Sequence, residues 1–186
     1  MGKIVVYDLV SENNLRLTTR ELKDMVRSVR VTCTQKLHGL GVMCTESVIL
    51  VSPSQERRIQ EVLDYVNSKY SELFEELRRF NVEIERRPLI RVLDTTAEQF
   101  DAFRELAERQ LISRIDESIE RINQILEGLA EIVDRAQRQR IRSRLMDLRR
   151  EWTRILEASR QLQLRTADDV EYLLELIEQG LSRLEE

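Results

Sequence analysis

The sequence predicts a small α/β unit followed by an all-helical region. Short apolar segments alternate with helical patterns up to about residue 96, and apolar residues then recur at alternating steps of four and three. No proline follows Pro88. The order strand–helix–strand–helix–strand–helix favours a mostly parallel, three-stranded, Rossmann-like sheet in residues 1–96. A ferredoxin-like, split βαβ sheet is the alternative, and it needs 42–44 as an extra strand.

The N-terminal unit opens with Lys3–Val10, a segment rich in β-branched residues that predicts the first strand. Thr18 and Glu21 form a capping-box pattern, and apolar residues at helical spacing follow as far as Leu37. Residues 29–34 also alternate with period two, so a strand there is an alternative to the favoured helix.

Two further strands are predicted on either side of a long helix. The apolar run Ser47–Ser52 predicts the second strand. A Ser-Pro-Ser-Gln start then predicts a helix over 53–80, since serine caps it and proline suits its first position. Residues 82–93 predict the third strand, at an edge or with a break because of Pro88.

Residues 97–186 predict a long-helix hairpin or a three-helix region. Thr95 and Glu98 give a capping box at its start. The apolar stripe shifts by one residue within 134–140, which permits either a turn or one continuous helix. A turn near Gln137 is favoured, because one helix over 96–164 would be roughly 100 Å long. An N-cap pattern at Thr166 predicts the start of the last helix.

Composition favours a cytoplasmic, soluble protein. The chain has 41% hydrophobic and 34% charged residues and a net charge of −4. Its first residues are too short and too interrupted for a signal peptide or a membrane span. The negative net charge argues against nonspecific nucleic-acid binding by the whole chain. Two cysteines exclude a disulfide scaffold.

Polar residues at predicted strand ends form the candidate ligand site. In a parallel sheet the carboxyl ends of the strands share one edge, so Asp8, Ser11, Ser52 and Ser54 are expected to lie together. Asp8 there could bind a metal ion, which gives the hypothesis of a metal-dependent nuclease. However, the residues after the first strand include no glycine-rich phosphate loop.

Cys33, His38 and Cys44 are the other residues that could carry chemistry. Zinc sites use four ligands, often with close paired spacings, and these three residues do not fit that pattern. Cys33 could reach His38 along a helix, but no third group is evident to orient the pair. We therefore expect two buried thiols and no catalytic residue, metal or cofactor.

The clearest surface signal is an arginine cluster in 135–150, where seven arginines accompany one acid, Asp147. They flank an apolar stripe, where charges select partners in coiled coils. With a turn near Gln137, Glu127 should face Arg149 and Glu131 should face Arg144. Alternatively, the cluster binds an acidic partner or the acidic C-terminal helix, within the chain or between subunits. The candidate partner-binding residues are Arg135, Arg138, Arg142, Arg144, Arg149 and Trp152.

Residues 46–103 resemble the Rossmann-like CARF sensor domain of CRISPR-associated regulators. ESVILVSPSQERRIQEVLDYV is similar to that family's strand, Ser/Pro turn and long helix, and NVEIERRPLIRVLDTTAEQFDAF to its next strand and helix start. This resemblance implies binding of cyclic oligoadenylates at strand ends, where Asp8–Ser11 and Ser52–Ser54 occupy comparable places. The opening IVVYDLV is also similar to the first strand of CRISPR-associated ferredoxin-like nucleases.

Three functional hypotheses follow. The first is a non-enzymatic interaction protein that assembles as a homo-oligomer through its C-terminal helices. The second is a nucleotide-sensing regulatory domain that uses the strand ends, and the third is a nuclease that depends on Asp8. A protein partner fits this pattern, and no membrane association is expected. A nucleic-acid partner is not favoured, because Trp152 is the one aromatic residue near the arginines that could stack on a base.

Overall fold

The structure, a computed structural model, describes residues 2–17, 19–84, 86–129 and 134–184. The chain forms two compact units, residues 1–103 and 104–186. Within the described segments, no helix is long and apolar enough to cross a lipid bilayer.

The N-terminal unit has the element order β-α-β-β-α-β. Its elements are β1 (Lys3–Asp8), α1 (Arg20–His38), β2 (Val42–Thr45), β3 (Val48–Val51), α2 (Glu56–Arg79) and β4 (Leu89–Asp94). The strands lie in the order β2-β3-β1-β4, and each neighbouring pair is antiparallel. This is a split βαβ arrangement.

The predicted mostly parallel, three-stranded, Rossmann-like sheet is therefore wrong. The short strand β2 forms a hairpin with β3, with Val42 opposite Leu50. The tight turn between β2 and β3 reverses the chain, so β3 is antiparallel to β2. β3 is also antiparallel to β1, its other neighbour in the sheet. The 42–44 segment is thus a strand, and it changes the direction of the strand that follows it.

Both helices of this unit cover one face of the sheet. Val5 and Tyr7 of β1 point to that face, where they join a core that contains Cys33 of α1 and Val66 and Leu77 of α2. The alternative of a strand over 29–34 is excluded, since these residues lie inside α1. The helix predicted over 53–80 is confirmed as a 3-10 turn, Pro53–Gln55, followed by α2.

The other face of the sheet is partly covered by the start of α3 (Ala97–Gly128). The Cys44 Sγ lies 3.5 Å from the carbonyl oxygen of Phe103. Leu50 is fully buried there, whereas Leu89 and Leu93 on the edge strand β4 remain about half exposed. The predicted third strand is shorter than expected, because only Leu89–Asp94 pairs with β1.

Helix starts differ by one residue from two predicted capping boxes. Thr18 lies outside the described residues, and Thr19 caps α1 by accepting a hydrogen bond from the backbone nitrogen of Leu22 at 3.3 Å. At α3 the reciprocal pair is Thr96 with Gln99, not Thr95 with Glu98. Thr95 is buried, and its hydroxyl donates to the carbonyl oxygen of Gly2 at 2.9 Å.

The C-terminal unit consists of the remainder of α3, α4 (Arg135–Gln161) and α5 (Ala167–Arg183). The turn predicted near Gln137 is wrong, since Gln137 lies in the first turn of α4. α3 ends at Gly128, and the Asp134 side chain caps α4 by accepting from the backbone nitrogen of Ala136 at 3.0 Å.

Ion pairs show that the three helices run antiparallel to their neighbours. Arg104 and Arg114 of α3 contact Gln163 and Glu151 respectively, so the chain numbers rise on α3 as they fall towards the start of α4. In the same way Arg149 and Arg160 of α4 contact Glu178 and Glu171 of α5. The apolar stripes face inward between these contacts. Residues that are almost completely buried include Leu111, Ile122, Leu145, Trp152, Leu173 and Ile177.

Candidate functional site

The structure does not bring the predicted strand-end residues together. Because β1 and β3 are antiparallel, Lys3 lies opposite Val51 and Val6 lies opposite Val48. Asp8 therefore lies at one end of the sheet, while Ser52, just after Val51, lies at the other. With a rise of about 3.4 Å per residue, β1 separates the two ends by roughly 17 Å.

Each strand-end residue instead has a local structural role. The Asp8 carboxylate pairs with Arg86. The Ser11 hydroxyl donates to the Asn14 side chain at 2.8 Å, at the start of a 3-10 turn. The hydroxyls of Ser52 and Ser54 lie 2.9 Å apart at the start of the next one. In the part of the chain that the structure describes, no group of three or more His, Cys, Asp or Glu could hold a metal ion.

The two thiols and the histidine belong to separate environments. Cys33 and Cys44 are buried, and burial raises the pKa of each thiol to about 11. The Tyr7 hydroxyl donates to the carbonyl oxygen of Glu46 at 2.8 Å, so it accepts from the His38 Nε2–H at 2.7 Å. A protonated, buried Cys33 and a histidine bonded elsewhere do not form a nucleophile–base pair.

Two of the predicted partner-binding residues serve the fold of the helical unit. Trp152 is 1% exposed and lies in the core, with the Arg114 guanidinium 5.5 Å from its ring centre. Arg149 pairs with Glu178 of α5, not with Glu127 as the predicted turn required. The other predicted partner of the cluster, Glu131, lies outside the described residues.

The predicted contact between the arginine-rich segment and the acidic C-terminal helix occurs within the chain. Arg149 contacts Glu178, and Arg160, further along α4, contacts Glu171. These pairs are partly exposed, so each contributes at most about 1 kcal/mol. Both of these ion pairs involve arginines in the second half of α4.

The first ten residues of α4 carry a different set of arginines, which we call the arginine surface: Arg135, Arg138, Arg140, Arg142 and Arg144. All five are exposed. Arg135, Arg140 and Arg144 make no ion pair with any described residue. Arg140 was not among the predicted partner-binding residues. Its exposure became evident only once the helix was located, because the sequence pattern placed it near a turn.

The position of these arginines is electrostatically unfavourable for the helix itself. The N-terminus of a helix carries a partial positive charge that favours acids and repels cations. The first turn of α4 has no acidic residue. Arg135 and Arg138 lie in that turn, where the helix dipole disfavours them, although the Asp134 carboxylate at the N-cap offsets part of this effect.

An opposite charge occupies the other end of the helical unit. Arg104 donates to the carbonyl oxygen of Gln163, which places the beginning of this part of α3 beside the end of α4. Exposed acids gather there, and we call them the acidic surface: Glu105, Glu157, Asp168 and Asp169. None of them makes an ion pair with a described residue. The two surfaces lie towards opposite ends of α4, and Arg144 and Glu157, their nearest members on that helix, are about 20 Å apart along its axis.

In comparisons with known proteins, the chain matches no family model, no curated protein and no solved structure. The geometry of its own residues is therefore the basis for any functional proposal.

Proposed function

We propose that this chain is a non-enzymatic interaction protein that self-associates through its helical unit. In this assembly the arginine surface of one copy lies against the acidic surface of the other. Two antiparallel copies related by a twofold axis make this contact twice, since a twofold interface repeats every contact.

One observation carries the proposal: Arg135, Arg140 and Arg144 are exposed and make no ion pair with a described residue, while arginines further along α4 pair with α5. Exposed positive charge at one end of the helical unit and exposed negative charge at the other end are complementary between two copies. Such complementarity mainly sets orientation and partner choice, and it weakens as salt is added.

The burial of the apolar stripes limits how the copies can associate. Leu145, Trp152 and Ile177 are already covered within one chain, so the copies do not need to share a hydrophobic seam. The support is thus for a polar, salt-sensitive interface. Interfaces of that kind are typical of reversible association.

The experiment is a measurement of molar mass by light scattering at low and high salt. The wild-type chain should show twice the 22.1 kDa of one chain at low salt and return toward 22.1 kDa as salt rises. The triple variant Arg135→Glu, Arg140→Glu, Arg144→Glu should remain at 22.1 kDa at low salt.

A matched control separates this interface from a general charge effect. Arg109, Arg154 and Arg183 are exposed arginines of the same unit outside the arginine surface. Their replacement by glutamate changes the net charge equally and should leave the association intact. Reversal of Glu157, Asp168 and Asp169 to arginine in the first triple variant should restore it.

Two results would refute the proposal. One is a wild-type mass of 22.1 kDa at every concentration and salt tested. The other is equal dissociation of both triple variants. If the first triple variant loses binding to RNA or DNA while the wild type stays monomeric, the arginine surface serves a nucleic acid and self-association is refuted.

The nucleotide-sensor and nuclease hypotheses receive no support from the positions of their residues. Both need strand-end groups that converge on one ligand. Asp8 and Ser52 lie at opposite ends of the sheet, and Arg86 beside the Asp8 carboxylate opposes the approach of a cation.

A further inference from the structure

A cleft in the N-terminal unit is large enough to hold a small molecule. It lies between α2 and the segment that precedes β4, and its volume is about 350 Å³. Ligand sites usually span about 300–1,000 Å³ and combine an apolar lining with a few polar groups. Tyr70, Phe74 and Pro88 supply the apolar part of this lining.

Tyr70 contributes its ring to the cleft and not a free hydroxyl. Its OH donates to the carbonyl oxygen of Val10 at 3.0 Å. Phe74 packs against it with the ring centres 5.7 Å apart. Both side chains are buried, so the aromatic wall is held in place by the core of the unit.

Two arginines without ion-pair partners among the described residues also line this cleft, Arg78 and Arg87. Their sequence neighbours behave differently. Arg79 contacts Glu76 at 2.7 Å, and Arg86 pairs with Asp8. In the described part of the chain, the two arginines that line the cleft thus make no ion pair, whereas the arginine next to each of them does.

One face of α2 adds polar groups at four-residue spacing. Asn67, Ser71 and Glu75 follow one another along the helix and line the cleft. Glu75 is the one acid in this lining, so the two arginines leave an excess positive charge. Planar guanidinium groups bind carboxylates and phosphates through paired hydrogen bonds.

We infer that this cleft binds a small organic anion, in which a carboxylate or phosphate is carried on an apolar ring. The anionic group contacts Arg78 and Arg87, and the ring packs against Phe74 and Pro88. The inference concerns the N-terminal unit alone and does not depend on the proposed self-association.

The test is a titration of the full chain with phenyl phosphate, followed by NMR chemical shifts. Phenyl phosphate should shift the resonances of cleft residues and bind more tightly than inorganic phosphate, which lacks the ring. Benzamidine, a cation with a similar ring, should not bind. Arg78→Ala and Arg87→Ala should each weaken the binding by about tenfold.

Arg79→Ala is the control, because it removes an arginine of the same helix that does not line the cleft. Circular dichroism shows whether each variant is folded. The inference is refuted if the Arg78→Ala, Arg87→Ala double variant binds phenyl phosphate like the wild type. It is also refuted if benzamidine or inorganic phosphate binds as tightly as phenyl phosphate.

Discussion

Replacement of Gly41 by alanine is expected to lower the stability of the fold, and replacement of Gly128 by alanine is expected to raise it. At Gly41 a Cβ atom would lie 2.0 Å from the carbonyl oxygen of Leu50 and 3.3 Å from the Cγ2 of Ile49. The first contact is with backbone that pairs with β2, so relief of the clash must move the hairpin. Overpacking of this kind costs about 1–3 kcal/mol, and a backbone clash belongs at the upper end.

Gly128 provides the matched comparison. Among the described residues, no atom beyond its chain neighbours and its own helix backbone lies within 4 Å of a Cβ added there, and its backbone φ is not positive. Alanine at the end of α3 should therefore stabilise the chain by about 0.4–1 kcal/mol, because it restricts the unfolded chain and favours the helix.

Urea unfolding measured by far-UV circular dichroism tests both substitutions. Fluorescence of Trp152, the single tryptophan, reports the helical unit separately. Gly41→Ala should lower the midpoint, and Gly128→Ala should raise it in the fluorescence signal. A midpoint for Gly41→Ala at or above that of the wild type would show that the close approach to Leu50 has no energetic consequence.

Two further predictions concern buried side chains. Trp152→Ala should destabilise the helical unit by about 3–5 kcal/mol in urea unfolding, because it leaves a cavity in the core. Met146→Ala, on the surface of the same unit, should have a small effect. If the two variants lost similar stability, Trp152 would not be buried in the core. Cys33 and Cys44 should react with a thiol reagent at pH 8 only after unfolding, because a pKa of about 11 leaves roughly one thiol in a thousand ionised. Rapid labelling of the folded chain at pH 8 would contradict their burial. Since the pKa of each buried thiol lies above the ordinary value of 9.0, the two thiols should lose their contribution to the free energy of unfolding as pH rises from 9.0 toward about 11.

Much of the local structure was predictable from the sequence because it depends on short-range patterns. Residues 53–80 follow a serine at the cap position, begin with a proline and carry one continuous apolar stripe, and these three sequence signals agree. The Ser52 hydroxyl itself caps no backbone N–H and lies beside that of Ser54. Residues 29–34 fitted either a helix or a strand, and the helix was correct because the helical pattern extends over more residues. Such agreement between neighbouring signals makes a prediction reliable.

Strand direction could not be predicted in the same way. Apolar strands separated by helices suggest a parallel sheet, but the four residues of β2 carry no strong strand signal of their own. Their pairing with β3 depends on the tertiary structure. This strand, which the sequence offered only within the ferredoxin-like alternative, reverses β3 and places Ser52 and Asp8 at opposite ends of the sheet, so the predicted ligand site does not form.

The periodicity of the apolar residues also could not locate the break between α3 and α4. The stripe shifts near Arg140, yet the helices separate earlier, between Gly128 and Arg135. The arginine cluster itself was visible in the sequence. Which arginines pair with α5 and which stay exposed depends on the register of α4 against its neighbours, and that register followed from the break.

The inner position of β1 has a consequence for how the protein is made. Its neighbours β3 and β4 lie some 40 and 90 positions further along the chain, so the ribosome releases this strand long before either edge can be closed. Chains with such distant pairings fold slowly compared with helical bundles. Until β3 and β4 are synthesised, both edges of the first strand are unpaired, and unpaired strand edges can pair with other chains.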